Sequence, residues 1–128
     1  MFRATTLIGE KDSYFHPVIN IPKCTDADEM FTWARWGSIY DLKLDITSIN
    51  MPNVVTMKFT FASSTSNQSN NRIDIKSKDR IEFEKATNAT NTFLHANLVN
   101  AKEIIFKNVC DCGKMLAYAS SEKPIKKI

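Results

Sequence analysis

The chain has 128 residues, 43% of them apolar and 24% charged, with a formal net charge of +3. That length suits one domain with its own core, the proportions are globular rather than disordered, and no apolar run approaches the roughly 20 residues that span a bilayer. Three cysteines are an odd count, read as free thiols in a reducing, cytoplasmic setting with no disulfide.

The first residues, MFRATTLIGEKD, lack the apolar stretch and the small-residue cleavage site of a secretory signal. The acceptor patterns at Asn67 and Asn88 are therefore discounted as glycosylation sites. Only three glycines are present, which argues against Gly-rich phosphate loops and against folds built on many tight Gly turns. The Asn-rich, Gly-poor composition suits AT-rich coding, as in some phages and other viruses. Residues 1–71 carry six basic and seven acidic side chains, whereas 107–128 carry five lysines against Asp111 and Glu122, so the basic excess is C-terminal.

In chain order, residues 2–8 read as a short strand, and 14–21 as an edge strand because Pro17 removes a backbone donor. Residues 25–37 read as a helix. Thr25 or Asp26 is the N-cap, Asp26 and Glu29 have capping-box spacing, and Ala27, Met30, Phe31 and Ala34 form a helical stripe up to Gly37. Residues 40–62 carry the clearest pattern. Leu42, Leu44 and Ile46 alternate with polar residues, NMPN turns the chain, and Val55, Met57, Phe59 and Phe61 alternate with Thr56, Lys58 and Thr60. This predicts an antiparallel hairpin with one face on a core.

The Ser/Asn run at 63–71 reads as a mobile loop. Ile73/Ile75 and Ile81/Phe83 form a second hairpin about Ser77-Lys78-Asp79. Residues 86–103 read as a second helix with a stripe of Leu94, Leu98 and Ala101. Residues 104–110 and 115–119 pair as strands, and 120–128 is a basic tail. The ATN doublet is the only local repeat seen. The expected fold is one α+β domain over 1–128, an antiparallel sheet of about six to eight strands with two α-helices packed on one face.

Chemistry is sparsely marked. Cys110 and Cys112 with Cys24 and His16 are a weak zinc alternative, since structural zinc sites favour wider Cys spacing, and no metal or other cofactor is expected. Asp41 and Asp45 on one strand face would stand roughly 13 Å apart, beyond the range of glycosidase carboxylate pairs. No P-loop, dinucleotide or metalloprotease motif is present. The WARWGSIY segment draws attention because Trp and Arg are enriched at interface hot spots. Trp33, Arg35, Trp36 and Tyr40 are the candidate partner-binding residues, with Trp33 and Trp36 on one helix flank. Lys43, Lys58, Lys126 and Lys127 are the candidate nucleic-acid contacts. The leading expectation is a non-catalytic accessory domain, not an enzyme and not membrane-bound, that docks on a larger protein. A single-stranded nucleic-acid binder is the alternative, and an enzyme of unrecognised type comes third.

Overall fold

The computed structural model describes residues 6–7, 13–32, 35–36, 40–41, 43–62, 73–122, 124–126 and 128. Eleven short strands occur among them and no helix: β1 (Thr6–Leu7), β2 (Ile19–Asn20), β3 (Arg35–Trp36), β4 (Tyr40–Asp41), β5 (Lys43–Asp45), β6 (Ile49–Asn50), β7 (Ile73–Lys76), β8 (Arg80–Glu82), β9 (Ala96–Val99), β10 (Glu103–Ile105) and β11 (Ser120–Ser121). The main sheet runs β11-β9-β7-β5 with every pair parallel. Two further parallel pairs, β2-β6 and β8-β10, lie along a second column. Isolated parallel bridges Asp26–Thr56–Asn88–Asp111 mark a third. The chain therefore winds as a solenoid, each coil stacked on the one before.

This overturns the α+β expectation of an antiparallel sheet with two helices. Apart from β3-β4, strands that follow one another in sequence do not pair; each pairs with a strand one coil away. The repeat is 23 residues in the later coils, as in Asp74, Asn97 and Ser120. It is 30 residues between Asn20 and Asn50. The longer early coils contain insertions. Phe93 to Leu98 is five steps, whereas the equivalent Phe61 to Ile75 is fourteen and Phe31 to Leu44 thirteen. The second coil thus holds nine extra residues, matching the Ser/Asn run at 63–71, which lies outside the described residues. The eight extra in the first coil include the only antiparallel pair among the described residues, β3-β4, and β3 also pairs with β1.

The helical stripes were real burial patterns of a different object. Ala27, Met30 and Phe31 are buried, but 27–32 forms tight turns in which Met30 N–H reaches Ala27 O at 3.2 Å and Thr32 N–H reaches Glu29 O at 3.2 Å. Consecutive turns put positions i, i+3 and i+4 inward just as a helix does. The same turns recur at 57–62 and 89–96. They also break the strand alternation expected at 54–62. Thr60, expected to be wetted, is buried, while Val55 and Phe59 are displaced outward. The Thr60 hydroxyl donates to Ala27 O at 2.8 Å, and the Thr92 hydroxyl to Met57 O at 2.8 Å, so each buried threonine ties its coil to the one before.

These turns place a left-handed residue third of four, the arrangement of a type II turn, which glycine normally fills. Here the position holds Glu29, Phe59, Asn91, His95, Lys114 and Tyr118, with φ between 54° and 56°. Scarce glycine argued against many tight Gly turns, and the corners here are tight turns without glycine at this position, four of them tied to the next coil. Glu29, Phe59, Asn91 and His95 each donate their N–H forward, to Lys58, Thr90, Gly113 and Ala117 O at 2.8–3.0 Å. A left-handed non-Gly residue costs roughly 1–2 kcal/mol, and that forward bond holds it in place.

One coil cannot bury its own apolar face. Stacking makes continuous columns of like residues. Phe31, Phe61 and Phe93 are each 0% exposed, with ring centroids 5.8 and 5.5 Å apart and planes within 16°. Phe61 also meets Phe83, which packs on Phe106 at 5.8 Å. Outside, charge alternates up the stack: Asp79 with Lys102 at 2.7 Å, Arg80 with Glu103 at 2.9 Å, and Glu84 with Lys107 at 3.0 Å. Each pair joins residues 23 apart, so the charges reward one register.

Phe61→Ala removes the ring at the centre of this column and is expected to lower unfolding stability by about 3–5 kcal/mol. Asn91→Gly should leave stability within about 1 kcal/mol of the parent, whereas Asn91→Val should lower it by roughly 1–2 kcal/mol or more. Urea unfolding of the three variants checks both expectations.

Candidate binding cleft between the second and third coils

The ladder is interrupted at one place. β6 pairs back with β2, β8 pairs forward with β10, and no strand pairing joins β6 to β8. From the main-sheet column to the bridge column the second coil takes twelve steps, Leu44 to Thr56, and the third takes thirteen, Ile75 to Asn88. The first coil takes eleven, Phe15 to Asp26, and still pairs with the second through β2-β6, so a one-residue difference does not by itself open the ladder. The second and third coils nevertheless part midway. They rejoin on either side, where Ile46 N–H meets Lys76 O at 2.9 Å and Thr87 N–H meets Val55 O at 2.9 Å.

Between these closures lies a cleft of about 660 Å³, lined from the second coil by Ile46, Ile49, Met51 and Pro52 and from the third by residues 77–84. Met51 and Ile81 are buried and form its floor, and Phe83 is half-buried beside them. Lys85 Nζ donates to Asn53 Oδ1 at 2.6 Å, and Asn53 Nδ2 to Pro22 O at 2.6 Å, latching one end. The volume falls within the usual range for ligand pockets, roughly 300–1,000 Å³, and the lining is mixed, with an apolar floor and a polar, charged rim to which Thr47 and Asn50 also belong. On the third-coil lip, Asp79, Arg80, Glu82 and Glu84 are all held by fourth-coil partners or by each other. Lys78, exposed between them, is the lip charge without an ion-pair partner among the described residues. What the cleft offers is apolar contact flanked by two strand edges, with a cation at the rim.

The wall begins at Asp45, a buried carboxylate in β5. Burial pushes its pKa up, but Thr47 N–H at 2.9 Å, the Thr47 hydroxyl at 2.6 Å, and the charges of His16 and Lys76 more than offset this and hold it below the ordinary value. Asp28 behaves alike. Burial raises its pKa, while the Thr56 hydroxyl at 2.7 Å, Lys58 N–H at 2.8 Å and the Lys58 ammonium at 3.0 Å lower it further than burial raises it. Near the main sheet, Tyr14 lies under Lys43 at 5.7 Å and Lys76 at 5.4 Å. Burial first, then Asp74, Glu122 and Asp45, raises the Tyr14 pKa.

The sequence candidates fall as follows. Trp33 lies outside the described residues. Arg35 and Trp36 are in β3 and Tyr40 in β4, not on a helix flank, and the register sets Trp36 opposite Tyr40 and Arg35 opposite Asp41. The hairpin thus gathers three of the four residues by a route the helix reading did not foresee. Lys43 sits in the main sheet and Lys58 in the turn column, where Asp28 holds it, so they do not share one sheet face. Lys126 is exposed, its N–H on Lys102 O at 2.8 Å, and Lys127 lies outside the described residues. His16 bonds the Ser48 hydroxyl at 2.8 Å and Cys24 belongs to the first coil, while Cys110 and Cys112 are exposed on the fourth. Among the described residues no three His, Cys, Asp or Glu side chains gather as a metal site needs, and no helix is long and apolar enough to cross a membrane.

Sequence reasoning missed the cleft. Its usable signal was the 23-residue recurrence Asp79/Lys102, Arg80/Glu103, Ile81/Ile104, Phe83/Phe106, which marks stacked coils and dates the interruption to the coil before. Comparison with family models, with curated proteins and with solved structures returned no match.

Both carboxylates are depressed in the folded chain, so their contribution to stability is fully present above the unfolded value of about 4 and is lost as pH falls through the folded values. Unfolding free energy should therefore fall steeply below about pH 4, and Asp28→Asn with Asp45→Asn should flatten that acid limb. Urea midpoints taken from pH 7 downward measure it; parallel curves for parent and double variant would contradict the assignment.

Proposed function

We propose that this chain is a non-catalytic binding module that docks on a larger protein and takes an apolar group of that partner into the cleft between the second and third coils. The cleft is the observation that carries the reading: a preformed slot with a polar rim where a regular ladder opens, its apolar floor made by Met51 and Ile81. A solenoid supports such a role because its side chains are displayed from a rigid stack in fixed columns. The inserted β3-β4 pair sets Trp36 opposite Tyr40 in register, and Trp and Tyr are residue types enriched where interfaces are anchored. The cations expected to meet nucleic acid are engaged at home: Lys58 with Asp28 at 3.0 Å, and Lys43 over Tyr14 at 5.7 Å.

The test is site-specific photo-crosslinking in the native cell, with the reactive residue placed at Pro52, at Lys78, or at Val18, which is 82% exposed and does not line the cleft. Pro52 and Lys78 should give adducts with the same protein and Val18 none. A bulky Lys78→Trp substitution should weaken binding of that protein by about tenfold or more without moving the melting midpoint. Adducts to nucleic acid, or equal labelling from all three positions, would overturn the reading.

A further inference from the structure

The fourth coil carries a second feature, independent of the cleft. In each earlier coil alternate N–H groups of the turn segment point forward into the next coil: Ala27, Glu29 and Phe31 to Thr56, Lys58 and Thr60 O; Met57, Phe59 and Phe61 to Asn88, Thr90 and Thr92 O; Ala89, Asn91, Phe93 and His95 to Asp111, Gly113, Met115 and Ala117 O. The residues in the same positions on the fourth coil are Cys112, Lys114, Leu116 and Tyr118. Among the described residues none of their N–H groups meets an acceptor. Among the described residues none folds back over them: β11 sits on β9, and Lys126 N–H bonds Lys102 O at 2.8 Å, both on other columns.

The side chains tell the same story. Cys112 continues the column of Ala27, Met57 and Ala89, all buried, yet is exposed. Leu116 continues the phenylalanine column and is only half-buried. Lys114 stands exposed in the middle of the row, with no ion-pair partner among the described residues. The neighbouring acid, Asp111, is turned back onto its own turn and the third coil by Gly113 N–H at 3.2 Å and the Thr90 hydroxyl at 2.8 Å.

We infer that this edge is a docking site for an extended, acidic segment of a partner protein, which adds to the fourth coil as a further rung. Charge and hydrogen-bond polarity select the occupant. The row presents four main-chain donors and an ammonium, so it needs carbonyl oxygens in register and a carboxylate opposite Lys114, with apolar side chains over Cys112 and Leu116. Strand addition to an exposed edge supplies such main-chain bonds, and the side chains set the choice of partner. A second copy presenting this same edge would set donor against donor and lysine against lysine.

The chain itself provides a probe. Residues 21–32, IPKCTDADEMFT, have Glu29 and Phe31 at the positions equivalent to Lys114 and Leu116. A fluorescent peptide of this sequence with Cys24→Ser is compared with one in which Asp26, Asp28 and Glu29 are lysines. The acidic peptide should bind the full chain and slow hydrogen exchange at the Cys112, Lys114, Leu116 and Tyr118 amides by about tenfold or more, while amides already bonded forward, such as Ala89 and Phe93, do not change. Lys114→Glu should weaken that binding by about tenfold. Equal binding of the lysine peptide, or binding without protection of those four amides, overturns the proposal. So does concentration-dependent self-association of the chain alone that protects the same amides, because the occupant is then another copy.

Discussion

Everything in this molecule depends on the forward hydrogen bond from one coil to the next. It ties down Glu29, Phe59, Asn91 and His95 in a backbone conformation that L-residues ordinarily avoid, and that Lys114 and Tyr118 take on the fourth coil without one among the described residues. Those left-handed residues in turn make the tight corners that aim Ala27, Met30 and Phe31, and their counterparts above, at a shared interior. Stability is therefore a property of adjacent pairs of coils rather than of any single segment.

Register is specified more than once. The phenylalanine column rewards a particular alignment by ring stacking, buried Thr60 and Thr92 by hydroxyl bonds to the preceding coil, and the outer charges by pairs 23 residues apart. A slip by one residue would turn Asp79, Arg80 and Glu84 away from Lys102, Glu103 and Lys107. It would also move apolar side chains from the inner to the outer face. Between the second and third coils β6 and β8 do not pair, and there the ladder parts. Both candidate docking places are interruptions of one rule: the cleft is a rung left unpaired within the stack, and the fourth-coil edge is a row of donors that no described residue meets.

The residues by themselves determined much of which side chains would be inside. Ala27, Met30, Phe31, Leu44, Met57, Phe61, Ile73, Ile75, Ile81, Leu94, Leu98 and Ala101 were legible as apolar periodicities and are buried, whereas Val55 and Phe59, legible as inward, lie outward and Thr60 lies inside. The Ser/Asn run was legible only as a loop; that its nine residues equal the surplus of the second coil came from the stacking. What they did not determine was the backbone that delivers this burial. An i, i+3, i+4 pattern is satisfied equally by one helical turn and by a type II turn overlapped by a second turn of another type, and only contacts between coils choose the second. Local propensity pointed away from those turns, since the residues at the left-handed positions are not glycine. Strand direction was hidden for a similar reason. Strands adjacent in sequence ordinarily pair, and here, β3-β4 apart, each finds its partner 23 to 31 residues away. The cleft and the unpaired N–H row exist only in the way the coils stack, and no segment taken alone shows either.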